Sequence, residues 1–277
     1  MKSLYSWIFL APTLVAAGIV MLMLQNSPSA AAAQPPKIQS ASAADGKTAT
    51  GGKSALQAPS RSTIHDPRST EHEAAKTPWK DLFDGKTLAG WKVLDLGGDG
   101  KVKVKDGAMV LNMGSPMTGI AYTGKVLRNN YELSLEGMRL DGSDFFCTTT
   151  FPVGKDPCTL VVGGWGGQVV GLSNVDYFDA SENSTTQTME FKDKRWYRVR
   201  IRVSDAAIQA WIDDKMLVNQ PRADHKFSVR IEVDECRPLG IATWYTAGAV
   251  RKIRLRSLSP EEVRAAAAAA KTAEDNN

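Results

Sequence analysis

The segment Tyr197-Arg-Val-Arg-Ile-Arg-Val203 alternates apolar and charged side chains without a break. Successive side chains of an extended chain point to opposite faces, so this order puts Tyr197, Val199, Ile201 and Val203 on one face and the arginines on the other. A helix would scatter both sets around its circumference. The same period of two recurs where Tyr131, Leu133 and Leu135 alternate with Glu132, Ser134 and Glu136. Further short β-forming runs occupy residues 102–104, 108–112, 145–151, 159–162, 168–172, 207–212, 215–218, 241–245 and 250–258, separated by Gly, Pro, Asp and Asn clusters. Asp106-Gly107 marks a tight hairpin turn, and Asp213-Asp214 falls where a two-residue hairpin loop belongs. No helical crossover intervenes, which argues for antiparallel pairing throughout. The expected fold is all-β, a two-sheet antiparallel jelly-roll sandwich spanning residues 78–258.

The flanks of this region read differently. Ser259 can cap a helix, Pro260 suits its first turn, Glu262 completes a capping box and the alanines from 265 to 270 favour helix strongly. Being polar or small all round, residues 259–277 are expected to form an exposed helical tail. Residues 34–77 are rich in Ala, Ser, Gln, Lys, Pro and Gly, with Leu56 and Ile64 almost the only large aliphatics. Such a stretch buries too little apolar surface to offset its ordering entropy, so a disordered tether is expected, with His65 and His72 solvated. In residues 1–33, Lys2 precedes a nearly uncharged apolar run and then Ser27-Pro28-Ser29 and an alanine string. This is the pattern of an export signal. The run is also long enough to remain as a membrane anchor, while Ala31-Ala32-Ala33 offers a cleavage site. Either outcome places the domain outside the cytoplasm, in the periplasm, on the cell surface or secreted.

The formal net charge of +4 is spread among alternating basic residues rather than gathered in a block, which argues against a nucleic-acid partner. Contact with a membrane is expected only through the N-terminal segment. Cys147 and Cys158 flank the turn-rich segment Phe151-Pro-Val-Gly-Lys-Asp-Pro157 and are spaced for a disulfide, with three buried thiols as the alternative. No Cys-x-x-Cys spacing exists, so no zinc or redox motif is expected.

The residues available for chemistry are few. The folded region holds one histidine, His225, which excludes a multi-histidine metal site and makes any Ser-His-Asp triad depend on that residue. Gly163-Gly164-Trp165-Gly166-Gly167 opens no helix and is read as a turn presenting Trp165. Acid and base work therefore falls to carboxylates, which serve in pairs on sugars. The densest candidate is Ser173-Asn-Val-Asp-Tyr-Phe-Asp-Ala-Ser-Glu-Asn183, which offers Asp176, Asp179 and Glu182 as catalytic groups, with Asn174 and Asn183 beside them and Tyr177 and Phe178 as stacking rings. The alternative is a solvated loop of Asx turns. The same oxygens could hold calcium, although the spacing matches no EF-hand; no other cofactor is expected. Asp144 ends a turn at a sheet edge where it could face a cleft. Trp165, Trp211, Trp244 and Tyr245 are candidates for a sugar platform, with Trp165 favoured for exposure. Glu132 and Glu136 lie either on solvent or on the floor of a binding face. Two basic stripes, Arg198, Arg200 and Arg202 on one strand and Lys252, Arg254 and Arg256 on another, are expected to form a solvated convex face.

The segment Leu82-Phe-Asp-Gly-Lys-Thr-Leu-Ala-Gly-Trp91 resembles the opening motif of the 3-keto-disaccharide hydrolase family. Asn130-Tyr-Glu-Leu-Ser-Leu-Glu136, Arg195-Trp-Tyr-Arg-Val-Arg-Ile201, residues 208–218, Gly240-Ile-Ala-Thr-Trp244 and Val250-Arg-Lys-Ile-Arg-Leu255 are similar to later segments of that family, in order. The resemblance implies a concanavalin A-like jelly roll, export and a carbohydrate ligand. It also implies chemistry: a ketone at sugar C3 acidifies the C2 proton, so a carboxylate base can remove it and the glycosidic bond can break by elimination before water adds. A non-catalytic carbohydrate-binding or adhesion module on a tether is the competing expectation. The middle departs from the family pattern, with Gly142-Ser-Asp-Phe-Phe-Cys147 and Val169-Val-Gly-Leu-Ser-Asn-Val-Asp176 in place of the usual cleft-facing strands. There, Asp176 is the residue that falls at a family position.

Overall fold

The structure, a computed structural model, describes residues 77–274. The expected signal or anchor, the tether up to Lys76, and His65 and His72 lie outside the described residues. In chain order the strands are β1 (Lys80–Asp81), β2 (Trp91–Val93), β3 (Val102–Lys105), β4 (Ala108–Leu111), β5 (Met117–Tyr122), β6 (Tyr131–Gly142), β7 (Thr148–Val153), β8 (Asp156–Gly164), β9 (Val169–Ser173), β10 (Gln187–Thr188), β11 (Tyr197–Val203), β12 (Ala207–Ile212), β13 (Lys215–Pro221), β14 (Gly240–Trp244) and β15 (Thr246–Ser257). A 3-10 turn spans Ile231–Cys236, and α1 covers Pro260–Glu274.

All registered pairs are antiparallel, and they build the expected two-sheet sandwich. The first sheet runs β13-β12-β11-β6-β15-β4-β3, with β1 also on β15; the second runs β10-β9-β8-β7-β14-β5-β2. Period-two alternation sends Leu133 and Leu135 of β6, Val199, Ile201 and Val203 of β11, and Leu160 and Val162 of β8 into one shared core. Both residues of the Asp106-Gly107 turn have positive φ, 52° and 75°, as the β3–β4 hairpin requires. Gly137 is needed for a different reason: a Cβ there would stand 2.4 Å from the Sγ of Cys147.

The basic stripes do not form a plain solvated face. Glu132 of β6 pairs in register with Arg202 of β11 on one side and Arg256 of β15 on the other. It accepts from Arg202 Nη2 at 2.8 Å and from Arg256 Nη2 at 3.0 Å, and both Glu132 and Arg256 are buried. The alternative placements of Glu132, on solvent or on a binding floor, are thereby replaced by an internal ion cluster. A β-bulge at Arg251–Lys252, where Lys252 has φ 50°, shifts the alternation of β15, so Arg251 and Lys252 both reach Glu136, at 2.7 and 2.8 Å. Arg200 lies 4.2 Å over the Trp211 ring, which is buried and so serves the fold rather than a sugar platform.

The C-terminal helix corrects a second expectation. Ser259 and Glu262 make the reciprocal capping box, at 2.9 and 3.3 Å. The helix is not an exposed tail: Ala266 and Ala270, one turn apart, are buried, and Asn219 of β13 donates to the Ala269 carbonyl at 3.1 Å. Alanines let the helix backbone approach the sheet closely, which is why a stripe of small residues packs here. Glu262 also receives Arg256 at 2.6 and 2.7 Å, so the helix closes over the ion cluster.

The expected disulfide does not form: Cys147, Cys158 and Cys236 are free and buried. The β7–β8 hairpin does bring its two strands side by side, but its register sets Cys158 opposite Phe151. Cys147 stands four positions further along, about 13 Å away along the strands, well outside the reach of a disulfide. Burial pushes the Cys158 and Cys236 thiols up to about 12 and raises Cys147 as well. Thiol titration without reductant is expected to count all three cysteines after denaturation and none in the native protein. A single reactive thiol after denaturation would instead reveal a bridge.

The helix contact carries its own expectation. Donation from Arg256, and from the Ser259 amide, holds Glu262 down at about 2. Because its folded value is depressed, the stabilisation is complete above the ordinary glutamate range and is lost as pH falls through that range toward 2. Glu262→Gln is expected to cost about 1–3 kcal/mol near neutral pH and to flatten the acid limb of the thermal stability curve.

Candidate functional site

The second sheet carries short or apolar side chains on both faces, because β7 is buried along its whole length. Its inner face meets the core. Its outer face needs a second cover, which comes from segments without regular strands. Leu94, Met117, Ala121, Val233, Cys236 and Ala242 form a separate buried cluster there, with the 3-10 turn contributing Val233 and Cys236. The cover is incomplete, and the remaining gap is a cleft of about 200 Å³.

Thr148, Thr159, Val161 and Ser173, from β7, β8 and β9, line its floor; Phe145, Trp165, Trp244 and Val233 add apolar wall; Asp144, Arg230 and Glu232 supply the charge. Phe145 and Trp244 rings lie 6.0 Å apart, tilted by 39°. Trp165 stands in the β8–β9 turn at φ 48° and is 45% exposed, so the glycines around it do present the ring.

The charged groups are held in place by specific bonds. Asp144 accepts from the Phe145 amide at 2.7 Å and the Gly166 amide at 3.1 Å, while its own amide donates to Thr246 Oγ1 at 2.9 Å. Arg230 forks onto Glu232 through Nη2 at 2.8 Å and Nε at 3.2 Å, and reaches Asp179 through Nη1 at 2.8 Å. Donation from Arg230 holds the Glu232 carboxyl below its usual range, partly opposed by burial. Arg230 still has two of its five N–H donors unused. Glu232 is thus neutralised by a partner, whereas Asp144 has no ion pair among the described residues.

Of the residues expected at a site, Asp144, Trp165 and Trp244 line this cleft together. Asp176, Asp179 and Glu182 are not brought into one group. Asp176, at φ 51°, takes His225 Nδ1 at 2.6 Å and the Lys226 amide at 2.8 Å, which lowers its carboxyl, the amide contributing most. Asp179 accepts from the Ser181 amide and hydroxyl at 2.9 and 2.7 Å and touches the cleft only through Arg230. Glu182 is exposed on a turn. Asn174 pairs with the Ser228 backbone, its amide at 2.7 Å, and Tyr177 is 74% exposed with Lys226 5.7 Å from its ring. Among the described residues no group of three or more His, Cys, Asp or Glu side chains could hold a metal ion.

Arg230, Glu232 and the wall residue Phe145 were not singled out from the sequence. A signal existed for the first two: Val229-Arg230-Ile231-Glu232-Val233 alternates with period two outside any assigned strand. Val229 and Val233 pack on the second cluster, but Ile231, which the alternation groups with them, is 84% exposed because the segment enters a 3-10 turn instead of a strand.

Over residues 78–256 the chain matches the family described as 3-keto-alpha-glucoside-1,2-lyase-like domain. No curated protein matches it. Among solved structures it is similar to a carbohydrate binding module from Bacillus subtilis, at 8% identity, covering 61% of this chain and 96% of that one, with a TM-score of 0.42. It is also similar to domain 4 of an extracellular arabinanase from Geobacillus stearothermophilus in complex with arabinotriose, at 16% identity, 69% and 98% coverage and a TM-score of 0.43. A Bacillus licheniformis beta-glucanase gives 8% identity, 68% and 100% coverage and a TM-score of 0.44.

Proposed function

The chain belongs to the family of 3-keto-alpha-glucoside-1,2-lyase-like domains, and from this premise we propose that it is an exported protein that cleaves 3-keto-glycosides in the cleft of the second sheet. The observation that carries this proposal is that one carboxylate without a counter-cation, Asp144, shares an aromatic-walled cleft with an arginine that has unused donors.

A ketone at C3 lets charge developing at C2 spread onto the C3 oxygen. Asp144 is assigned as the base that takes the C2 proton. The C1–O bond then breaks, C1 and C2 become doubly bonded, and the departing oxygen takes a proton from water in the open cleft, whose hydroxide recovers the proton held by Asp144. Water adding across that double bond completes a net hydrolysis. Arg230 is assigned to the enolate oxygen, where a fixed cation is worth most because the charge appears only as the proton leaves. Glu232 and Asp179 hold the guanidinium in place, and Trp165, Trp244 and Phe145 take the apolar faces of the sugar. Asp176 with His225 fastens the neighbouring loop.

One observation favours the binding-module alternative: Glu232, the second carboxylate of the cleft, is already neutralised by Arg230, so no free second carboxylate stands ready as an acid. The two are separated by turnover. With a 3-keto-glucoside, Asp144→Asn is expected to lower kcat/KM by about 100-fold or more while KM changes little. A binding module would bind the sugar and release nothing, with or without the substitution.

A further inference from the structure

Tyr245 is exposed, and neither the core nor the cleft accounts for it. Tyr245 is the single residue between β14 in the second sheet and β15 in the first, so the chain changes sheets at this point. The corner is pinned on both sides: Trp244 N donates to the Phe145 carbonyl at 3.0 Å, and Tyr245 N to the Pro116 carbonyl at 2.7 Å. It forces Tyr245 to φ 40°, a left-handed conformation that glycine adopts freely and a bulky side chain adopts only under strain. The fold therefore calls for glycine here. What it holds is a tyrosine, 53% exposed.

Trp165 repeats the pattern. It too stands at positive φ, in a turn already supplied with glycines, and its ring is 45% exposed at the cleft. Strained backbone clusters at functional sites, and Tyr177, at φ 74° and 74% exposed, shares the combination away from the cleft, so it is the placement of the Tyr245 ring that carries the argument. The Tyr245 ring continues the wall of the cleft: its centroid lies 5.8 Å from that of Trp244, and Trp244 in turn lies 6.0 Å from Phe145. The rings thus form a stepped row leading from inside the cleft to open surface. A row of separate platforms, each with an apolar face and wet surroundings, suits a chain of sugar rings better than a single sugar.

We propose that Tyr245 is a sugar platform beyond the cleft, so that the ligand is an oligosaccharide running past the unit held between Trp165 and Trp244. This rests on the cleft being a sugar site, and the test separates the two. Titration calorimetry with maltose and with maltopentaose uses α-glucosides, the anomeric configuration named by the family. The wild-type protein is expected to bind maltopentaose about tenfold more tightly than maltose, roughly the worth of one aromatic platform. Tyr245→Gly, which suits the left-handed corner and keeps the fold, should abolish that gain and leave maltose binding unchanged; Tyr245→Phe should retain it. Equal affinity of the wild type for both sugars, or a gain that survives Tyr245→Gly, overturns the platform while leaving the cleft standing. Binding of neither sugar by the wild type overturns the platform and, with it, the cleft as a site for unoxidised glucosides, while turnover of a 3-keto-glucoside tests the cleft separately.

Discussion

The second sheet has to be covered on both faces, and the functional geometry follows from that requirement. Its strands place Leu160, Val162, Val170 and Leu172 toward the first sheet and Thr148, Thr159, Val161 and Ala242 away from it. Neither set can face water over a broad area without losing the hydrophobic term that drives folding. The first sheet satisfies the inner face. The outer face is left to segments between strands, chiefly the loop after β9 and the stretch that leads into the 3-10 turn. A cover made of loops cannot seal a sheet as another sheet can, and the cleft is where it stops short.

The two sheets therefore divide the work. The first is stabilised by a wide apolar face inside and by an arginine-glutamate-tryptophan cladding outside, closed at Glu132, Arg256 and Glu262. The family's opening motif belongs to this structural side. Trp91 Nε1 donates to the Leu82 carbonyl at 2.8 Å, Leu82 N donates to Ile253, and Asp84 collects the Lys86 and Thr87 amides, which hold its carboxyl at about 2. None of these residues lines the cleft. The most legible motif of the chain is a clasp that identifies the family, while the cleft is built from other segments.

What could be read in advance was what depends on neighbours in sequence. Period two assigned β6 and β11, Asp106-Gly107 assigned a hairpin, and Ser259 with Glu262 assigned a helix start, because each rests on contacts a few residues apart. The errors share a different origin. Cys147 and Cys158 flank a real hairpin, yet whether they meet depends on a register that is fixed by side chains packing on the far strand. The alanine helix looked solitary because alanine carries no signal of what it will touch. The arginine stripes looked solvated because Glu132 and Glu136 sit on a strand 60 or more residues earlier. Asp144 and Trp165 were legible as candidates since a turn marks the first and a glycine-rich stretch the second, and Trp244 was legible only as an aromatic ring. Arg230 and Glu232 carry only a period-two alternation in sequence, which says nothing of a site, because their partner Asp179 and their wall arise only from tertiary folding.

Loops that build a site need some substitute for the sheet ladder that holds strands rigid. Here the substitute is a set of side-chain and backbone bonds across the two covering segments. Asn174 and Ser228 exchange backbone bonds, Asp176 takes both His225 and the Lys226 amide, and Asn183 donates to three carbonyls, those of Leu172, Phe178 and Asp179. Asp179, positioned by this lacing, is what grips Arg230 from one side while Glu232 grips it from the other. The guanidinium is held by a carboxylate on each side, so its place in the cleft is set by the protein's own bonds. The carboxylates of the β9 loop thus act on the cleft indirectly, by setting where its cation stands.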